Sequence, residues 1–523
     1  MTLRTPFYKN LLSWALATCV VALATVFPRL MVMGDFPSTD EGFYAYQSLI
    51  FHHHLTSSLG LPDEGPLAIY PLLLAWIYEF ELNILVAFRF ADMAVAMLAS
   101  IIFLVVIKKE SGSWVSGSLI ALFGLFTMNQ PEFIQSGFKN SMFAAYIPLL
   151  LAYHVGNHSH IQTKKRWILV GVLLTTCLFL RETFLPFVLI GLVAIWIAYS
   201  KRAFVRTFVT MMVFGTSVLV LIAVLRGGVV ELISSYIEMG AVYDSYSDRR
   251  MPNFIRYGRQ SVQVSVGILV LLGFVLMLYL SVSLVDQRFS GYRQHLFWLA
   301  CTLAPLLEPF LKFGFPYHFS VCIPGLVGLT ASLLADSKMH QASFSNLAVL
   351  HLSIMMLGIV FLTQRVSELS ENWPDSQALL EHYDSRDWPE HLVAQSNFLI
   401  AATEIKKVAK PGDRLAVSGF MFALYPLTGL VPPNHALSNL SALAGVTQGN
   451  ALSMDKAIRS CPPEIIMTTT RPIPYSELIA DLLEQLDLYQ AVATVEQNSK
   501  ISAGRAGGTI YRRVTSTSGC DQI

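Results

Sequence analysis

The stretch LLSWALATCVVALATVFPRLMVM, residues 11–33, decides the fold class. It is nearly uncharged and long enough to cross a hydrocarbon core, which takes ~20 residues of helix. Arg4 and Lys9 precede it. No small-residue cleavage site follows, and many apolar runs come later, so it reads as an uncleaved first span rather than a signal peptide. Composition agrees. Of 523 residues, 54% are hydrophobic and 14% charged, and the mean hydropathy of +0.53 is too apolar for an ordinary soluble protein of this length. The chain reads as a polytopic α-helical membrane protein. A net charge of +1 gives no reason to expect nucleic acid as a partner, and membrane lipids are the first partner implied.

Further candidate spans lie at 84–107, 114–129, 138–155, 167–180, 184–200, 207–225, 261–285, 294–311, 316–335 and 345–363, which with the first makes about eleven. The positive-inside rule tests their orientation. With a cytoplasmic N-terminus the inner loops hold Lys108 and Lys109; Lys164, Lys165 and Arg166; Lys201, Arg202 and Arg206; Arg288 and Arg293; and Lys338. The alternation then closes. It places the 34–83 loop, the shorter loops at 130–137, 181–183, 226–260 and 312–315, and everything after 363 outside. The expected domains are a transmembrane domain over 1–363 and an extracytoplasmic domain over 364–523.

In the 34–83 loop, Phe43–Phe51 reads as an amphipathic helix lying in the interface, and Leu67–Phe80 as interfacial or partly re-entrant. The tail reads differently. Pro411-Gly412-Asp413-Arg414 introduces a strand at Leu415–Ser418, Cys461-Pro462-Pro463 one at Glu464–Thr469, and Gly507-Gly508 one at Thr509–Arg513. Helical periodicity covers Ala394–Lys410 and Tyr475–Tyr489. Alternating helices and strands predict a small α/β domain with a partly parallel sheet. No glycine pattern there makes a phosphate-binding fingerprint. Cys19, Cys177, Cys301 and Cys322 fall in apolar runs and read as packing, whereas Cys461 and Cys520 could form a disulfide in an extracytoplasmic tail.

The chemistry concentrates just past the first span, in Ser38-Thr39-Asp40-Glu41-Gly42-Phe43-Tyr44-Ala45-Tyr46. A carboxylate there can take the proton of an attacking hydroxyl. The bland alternative is a pair of acids capping the following helix. Adjacent histidines point in different directions around a helix, so His52-His53-His54 is not expected to bind metal, and no metal or other cofactor is expected.

The first span, Asp40-Glu41-Gly42-Phe43-Tyr44-Ala45-Tyr46, then Gly65-Pro66-Leu67-Ala68-Ile69-Tyr70-Pro71, then Arg89 at the start of the second span, together resemble the GT-C glycosyltransferases of the ArnT and protein O-mannosyltransferase type. Pro316-Tyr317-His318-Phe319 and the tail motifs fit the same family. The resemblance implies an inverting enzyme of the bacterial cell envelope. It would move a sugar from an undecaprenyl or dolichyl phosphate carrier to a lipid, glycan or protein, with its site on the periplasmic side of the inner membrane. By the same resemblance Asp40 matches the catalytic base and Glu41 its companion acid. The chain departs from the family where a Lys or His usually precedes the Pro-Pro-Leu element, because Glu64-Gly65 stand there.

Other cations could meet the donor phosphate: Arg181, Lys312, Arg256 and Arg259, with Tyr317 and His318 beside them. The alternatives are an Arg181–Glu182 structural pair, a snorkelling Lys312 and a basic cluster of Arg249, Arg250, Arg256 and Arg259 that touches lipid headgroups. Tyr44, Lys139 and Asn140 are acceptor-binding candidates. The rival functions are a flippase for a lipid-linked glycan, which predicts broken helices and symmetric halves, and a non-catalytic assembly subunit.

Overall fold

The computed structural model describes residues 6–33, 69–79, 84–130, 140–158, 163–225, 250–264, 292–311, 316–339, 390–417, 421–432, 462–469, 488–496 and 507–514, with single residues or short groups within 41–52, 133, 229–237, 268–278 and 363–388. Most of the expected spans 261–285 and 345–363 lie outside the described residues, as do Asp40, Lys139, Lys312, Cys461 and Cys520.

Helices dominate. In chain order they are α1 (Pro6–Val21), α2 (Phe27–Met31), α3 (Ile69–Leu74), α4 (Ile84–Ser111), α5 (Trp114–Met128), α6 (Asn140–His158), α7 (Thr163–Leu180), α8 (Leu185–Ala198), α9 (Lys201–Leu225), α10 (Arg250–Val264), α11 (Tyr292–Leu303), α12 (Leu307–Leu311), α13 (Ile323–Met339), α14 (Glu390–Val393), α15 (Asn397–Val408) and α16 (Leu424–Thr428). Among the described residues, four stretches are long and apolar enough to cross a membrane: Ser13–Met31, Leu85–Ser111, Lys201–Val224 and His318–Asp336. The chain forms two compact units. One comprises Met1–Val32, Asp92–Leu219 and Tyr246–Trp373; the other comprises Met33–Ala91, Val220–Ser245 and Pro374–Ile523.

In the first unit, α1 passes through a π-helical turn, Ala22–Val26, into α2. Pro28 has no N–H to give the ladder, and the wider turn before it absorbs the mismatch. Within that turn Thr25 is buried and its hydroxyl meets that of Ser100 on α4 at 2.8 Å. The centre of the unit is α13. Of the His318–Asp336 window 94% is buried, against 17% for Lys201–Val224, so α9 is peripheral. Val205, Val209, Val213, Val220 and Val224 of α9 are exposed; an apolar face of that extent suits hydrocarbon, not water. Helix α13 approaches α11 closely because Gly328 has no side chain: a Cβ there would fall 2.2 Å from the Trp298 ring. The Trp298 indole N–H in turn donates to Glu110 Oε2 at 3.1 Å, Tyr153 donates to Glu110 Oε1 at 2.7 Å, and Gln294 donates to the same carboxylate. One buried acid thereby ties α4, α6 and α11. Cys177, Cys301 and Cys322 are buried thiols, and Cys19 is an exposed one.

The second unit holds a mixed four-stranded sheet of order β1-β2-β4-β3, with β1 Leu415–Val417, β2 Ile465–Thr469, β3 Tyr489–Val495 and β4 Gly508–Arg513. The β1–β2 pair is parallel and the other two are antiparallel. The turn into β1 is set by Gly412 at φ 87°, a conformation glycine adopts without a Cβ penalty, and by Asp413, whose carboxylate accepts from the Lys410 N–H at 2.7 Å. Helix α15 buries Phe398, Leu399, Ala401, Ala402 and Ile405, the i, i+3, i+4, i+7 stripe of an amphipathic helix. Sequence periodicity carried a helix through to Tyr489, but Tyr489 opens strand β3. Pairing with β4, irregular between Ala491 and Ala493, decides the conformation there.

Candidate active site

Within the second unit, Glu41 is fully buried and held by Arg89. Arg89 Nε donates to Oε1 at 2.6 Å and Nη2 to Oε2 at 2.8 Å, a bidentate fork in which both carboxylate oxygens are engaged. The third nitrogen, Nη1, donates to the Met33 carbonyl at 2.5 Å. A cation near a helix N-terminus opposes the helix dipole, and the Glu41 carboxylate offsets it. Burying such a pair is costly unless its hydrogen bonds are complete, and here the guanidinium gives all three of its nitrogens to named acceptors. The described residues of the 41–52 segment are helical, and Glu41, Gly42, Ala45, Tyr46, Ser48 and Leu49 are buried. Of the described residues of Phe43–Phe51, the segment expected at the interface, Ala45, Tyr46, Ser48 and Leu49 are buried in protein. Tyr44, an expected acceptor contact, is half-buried on this helix. Asp40, immediately before it, lies outside the described residues.

Within the first unit, the candidates for donor phosphate fall on adjoining elements. Arg181 does not pair with Glu182, which is exposed. Its Nη2 donates to Glu308 Oε1 and its Nε to Thr183 Oγ1 at 3.0 Å, while Thr183 donates to Glu308 Oε2 at 2.9 Å. The triangle neutralises Arg181 from a residue far away in sequence. Glu308 sits on α12, next to the 3-10 segment Pro316–Cys322 that contains Tyr317 and the buried His318. Helix α10 packs against both, with Phe254 tilted on Phe319 at 5.3 Å and edge-on to Phe310 at 5.9 Å. Arg256 and Arg259 share a different face of α10 with Pro252, Ile255 and Gln260, lining an open hollow of about 610 Å³. Both arginines are exposed, and among the described residues neither is in an ion pair. Asn140 opens α6.

A larger apolar cavity of about 820 Å³ runs among α6, α7, α8, α11 and α13. Leu150, Leu174, Phe187, Ile190, Phe297 and Cys301 form much of its wall, and Glu110, Asn157, Tyr199, Arg293 and Gln294 are polar members of the lining.

Sequence reading missed a second buried ion pair in the first unit. Arg29 Nε lies 3.3 Å from Asp92 Oδ2, at 2% and 0% side-chain exposure, with the guanidinium 4.9 Å over the Phe143 ring. A signal existed: Arg29, Asp92 and Glu308 are charges inside otherwise apolar spans, and such charges seldom face lipid.

No family model matches the chain, and no curated protein does either. Among solved structures it is similar to the crystal structure of ArnT from Cupriavidus metallidurans bound to undecaprenyl phosphate. The TM-score is 0.54 and the identity 14%, over 98% of this chain and all of that one. At that identity the likeness shows the fold alone: the chain shares the fold of that structure.

Proposed function

We propose that a chain with this fold is an inverting membrane glycosyltransferase that moves one sugar from a polyprenyl-phosphate donor to an acceptor on the outer side of the membrane. The observation that carries the reading is the likeness, over nearly the whole of both chains, to a protein bound to undecaprenyl phosphate. In this reading the membrane domain is 1–363 with about eleven spans, the domain over 364–523 faces the periplasm, and the lipid is that of a bacterial inner membrane.

Asp40 takes the proton of the acceptor hydroxyl as that oxygen attacks the anomeric carbon. The bond from that carbon to the phosphate oxygen breaks, and the polyprenyl phosphate leaves with the electron pair. One displacement inverts the centre. Glu41, ionised in a bidentate pair with the buried Arg89, is a poor proton acceptor beside that positive charge, so it orients the segment. The leaving phosphate needs cations not already neutralised. Arg181 is matched by Glu308, so among the described residues Arg256 and Arg259 are the better candidates. The 820 Å³ apolar cavity suits a hydrocarbon tail.

The test is transfer by purified full-length protein from a panel of radiolabelled polyprenyl-phosphate sugars, with Asp40→Asn alongside. Turnover by the unmutated protein and a fall of at least about 10²-fold in Asp40→Asn are expected, because a general base contributes ~10²–10⁴-fold. Full activity in Asp40→Asn would remove the base. Donor binding without turnover across the whole panel would favour a non-catalytic assembly subunit.

A further inference from the structure

We propose that the segment Met421–Thr428 is a positioning element for the acid pair, fixing the register of the helical residues that directly follow Asp40 in the chain. The proposal rests on the reading of Asp40 as the base. Asp40 is joined directly to Glu41 and Gly42, so whatever holds those two residues confines the Asp40 Cα to one bond length of virtual chain, ~3.8 Å.

Two independent sets of contacts hold them. The Arg89 fork grips Glu41 from α4. On another side, Gly42 lies directly on the backbone of Ala423: a Cβ at Gly42 would fall 2.4 Å from the Ala423 nitrogen, 2.6 Å from its Cα and 2.7 Å from its Cβ. No side-chain rotation relieves an overlap with backbone. One turn on, Tyr46 shares the helix face with Gly42. Its ring stacks on Tyr425 with centroids 4.5 Å apart and planes at 26°, and it tilts against Phe422 at 5.3 Å. Tyr46, Phe422, Ala423 and Tyr425 are all 0% exposed. A close backbone approach at one position and a buried aromatic stack at i+4 leave the helix little freedom to slide or to rotate. That is more constraint than a solvated loop acid needs, and it is the support a pre-organised base requires. The C-terminal portion of the chain would then act as a scaffold for the base, beyond any role in covering the site or recognising the acceptor.

The experiment uses full-length protein with Gly42→Ala, Tyr425→Ala, Tyr425→Phe and Asp40→Asn. Hydrogen exchange over residues 38–50 is measured, with kcat and the donor KM expressed per donor-binding molecule. That normalisation takes misfolded protein out of the comparison. Gly42→Ala and Tyr425→Ala are expected to exchange faster over 38–50 and to lose about 10- to 100-fold in kcat, the cost of misplacing a group by ~1 Å. Their donor KM should change by less than about 2-fold. Tyr425→Phe keeps the stack and should restore most of kcat. Should Gly42→Ala fail to accumulate, Tyr425→Ala carries the test alone. Unchanged exchange over 38–50 in Tyr425→Ala, or unchanged kcat per donor-binding molecule, would overturn the positioning role. Full activity in Asp40→Asn would instead overturn the base. An inactive Asp40→Asn beside fully active Gly42→Ala and Tyr425→Ala would overturn the positioning role alone.

Discussion

Arg29 and Asp92 are opposite charges with almost no exposure, 3.3 Å apart, in a part of the chain otherwise built of apolar helix. Each charge lost most of its hydration on burial, so their mutual attraction is needed chiefly to offset that loss. The asymmetry of such pairs gives a prediction. Asp92→Asn removes the countercharge from a buried guanidinium and should destabilise by about 3–5 kcal/mol, read as a lowered Tm and poorer recovery of monodisperse protein in detergent. The double change Arg29→Met with Asp92→Leu removes both charges and should regain most of that loss, since apolar replacement of a complete buried pair is often close to neutral. A double variant no better than Asp92→Asn would mean that the pair contributes something other than mutual neutralisation. Glu41 and Arg89 repeat the arrangement with better geometry, and there the sequence did expose both partners, Glu41 beside Asp40 and Arg89 at the opening of the second span. Their bidentate pairing was not legible, because it depends on the helix rotation of α4, which no local pattern specifies.

Helix α10 shows how one element can serve two purposes. Phe254 and Gly258 face Phe319, where a Cβ at Gly258 would meet the ring at 3.2 Å, while Pro252, Ile255, Arg256, Arg259 and Gln260 share an open face. Apolar and cationic groups interleaved along one exposed face suit a lipid phosphate, with hydrocarbon against Ile255 and the anion against the guanidinium groups. If that phosphate is the donor's, Arg256→Ala and Arg259→Ala should each raise the donor KM by about 10-fold or more, because a hydrogen bond to a charged group contributes ~1.5–3 kcal/mol. kcat should fall less. The double variant should also weaken the dependence of KM on salt. A donor KM unmoved by both substitutions would assign this face to bulk lipid headgroups, and attention would return to the elements around His318. The cluster of arginines is legible in the sequence, because charge is a local property. The pairing of Arg181 with Glu308 is not, since the two meet only when α12 packs beside the Glu182–Phe184 turn.

At the scale of the whole chain, legibility followed the range of the interactions. Apolar length announced the first span and helices α4, α5 and α9, and turn chemistry around Gly412 and Gly508 marked the approaches to β1 and β4. Strand β3 escaped because Tyr489–Val495 is mostly exposed on its described face and is held by the ladder to β4, a contact made across the intervening chain. The burial of Tyr46 against Tyr425 escaped for the same reason. The sheet also carries a pH dependence. Glu464, at the start of β2, lies among Arg414, whose N–H and Nε reach it at 2.9 and 3.2 Å, and Arg513 at 2.9 Å. Partial burial pushes its carboxyl up, but the hydrogen bonds and charge from Arg414 outweigh that and hold it below the ordinary value of 4.5. A carboxyl whose folded value is depressed binds fewer protons in the folded state than in the unfolded one, so the stabilisation is complete above about pH 4.5 and is lost as pH falls through the lowered value. Calorimetry of the full-length protein should therefore show Glu464→Gln melting below the unmutated protein at pH 7, the two curves converging as pH falls below 4.5. A gap between them that stayed constant down to pH 3 would mean that Glu464 acts through packing, with its charge contributing nothing.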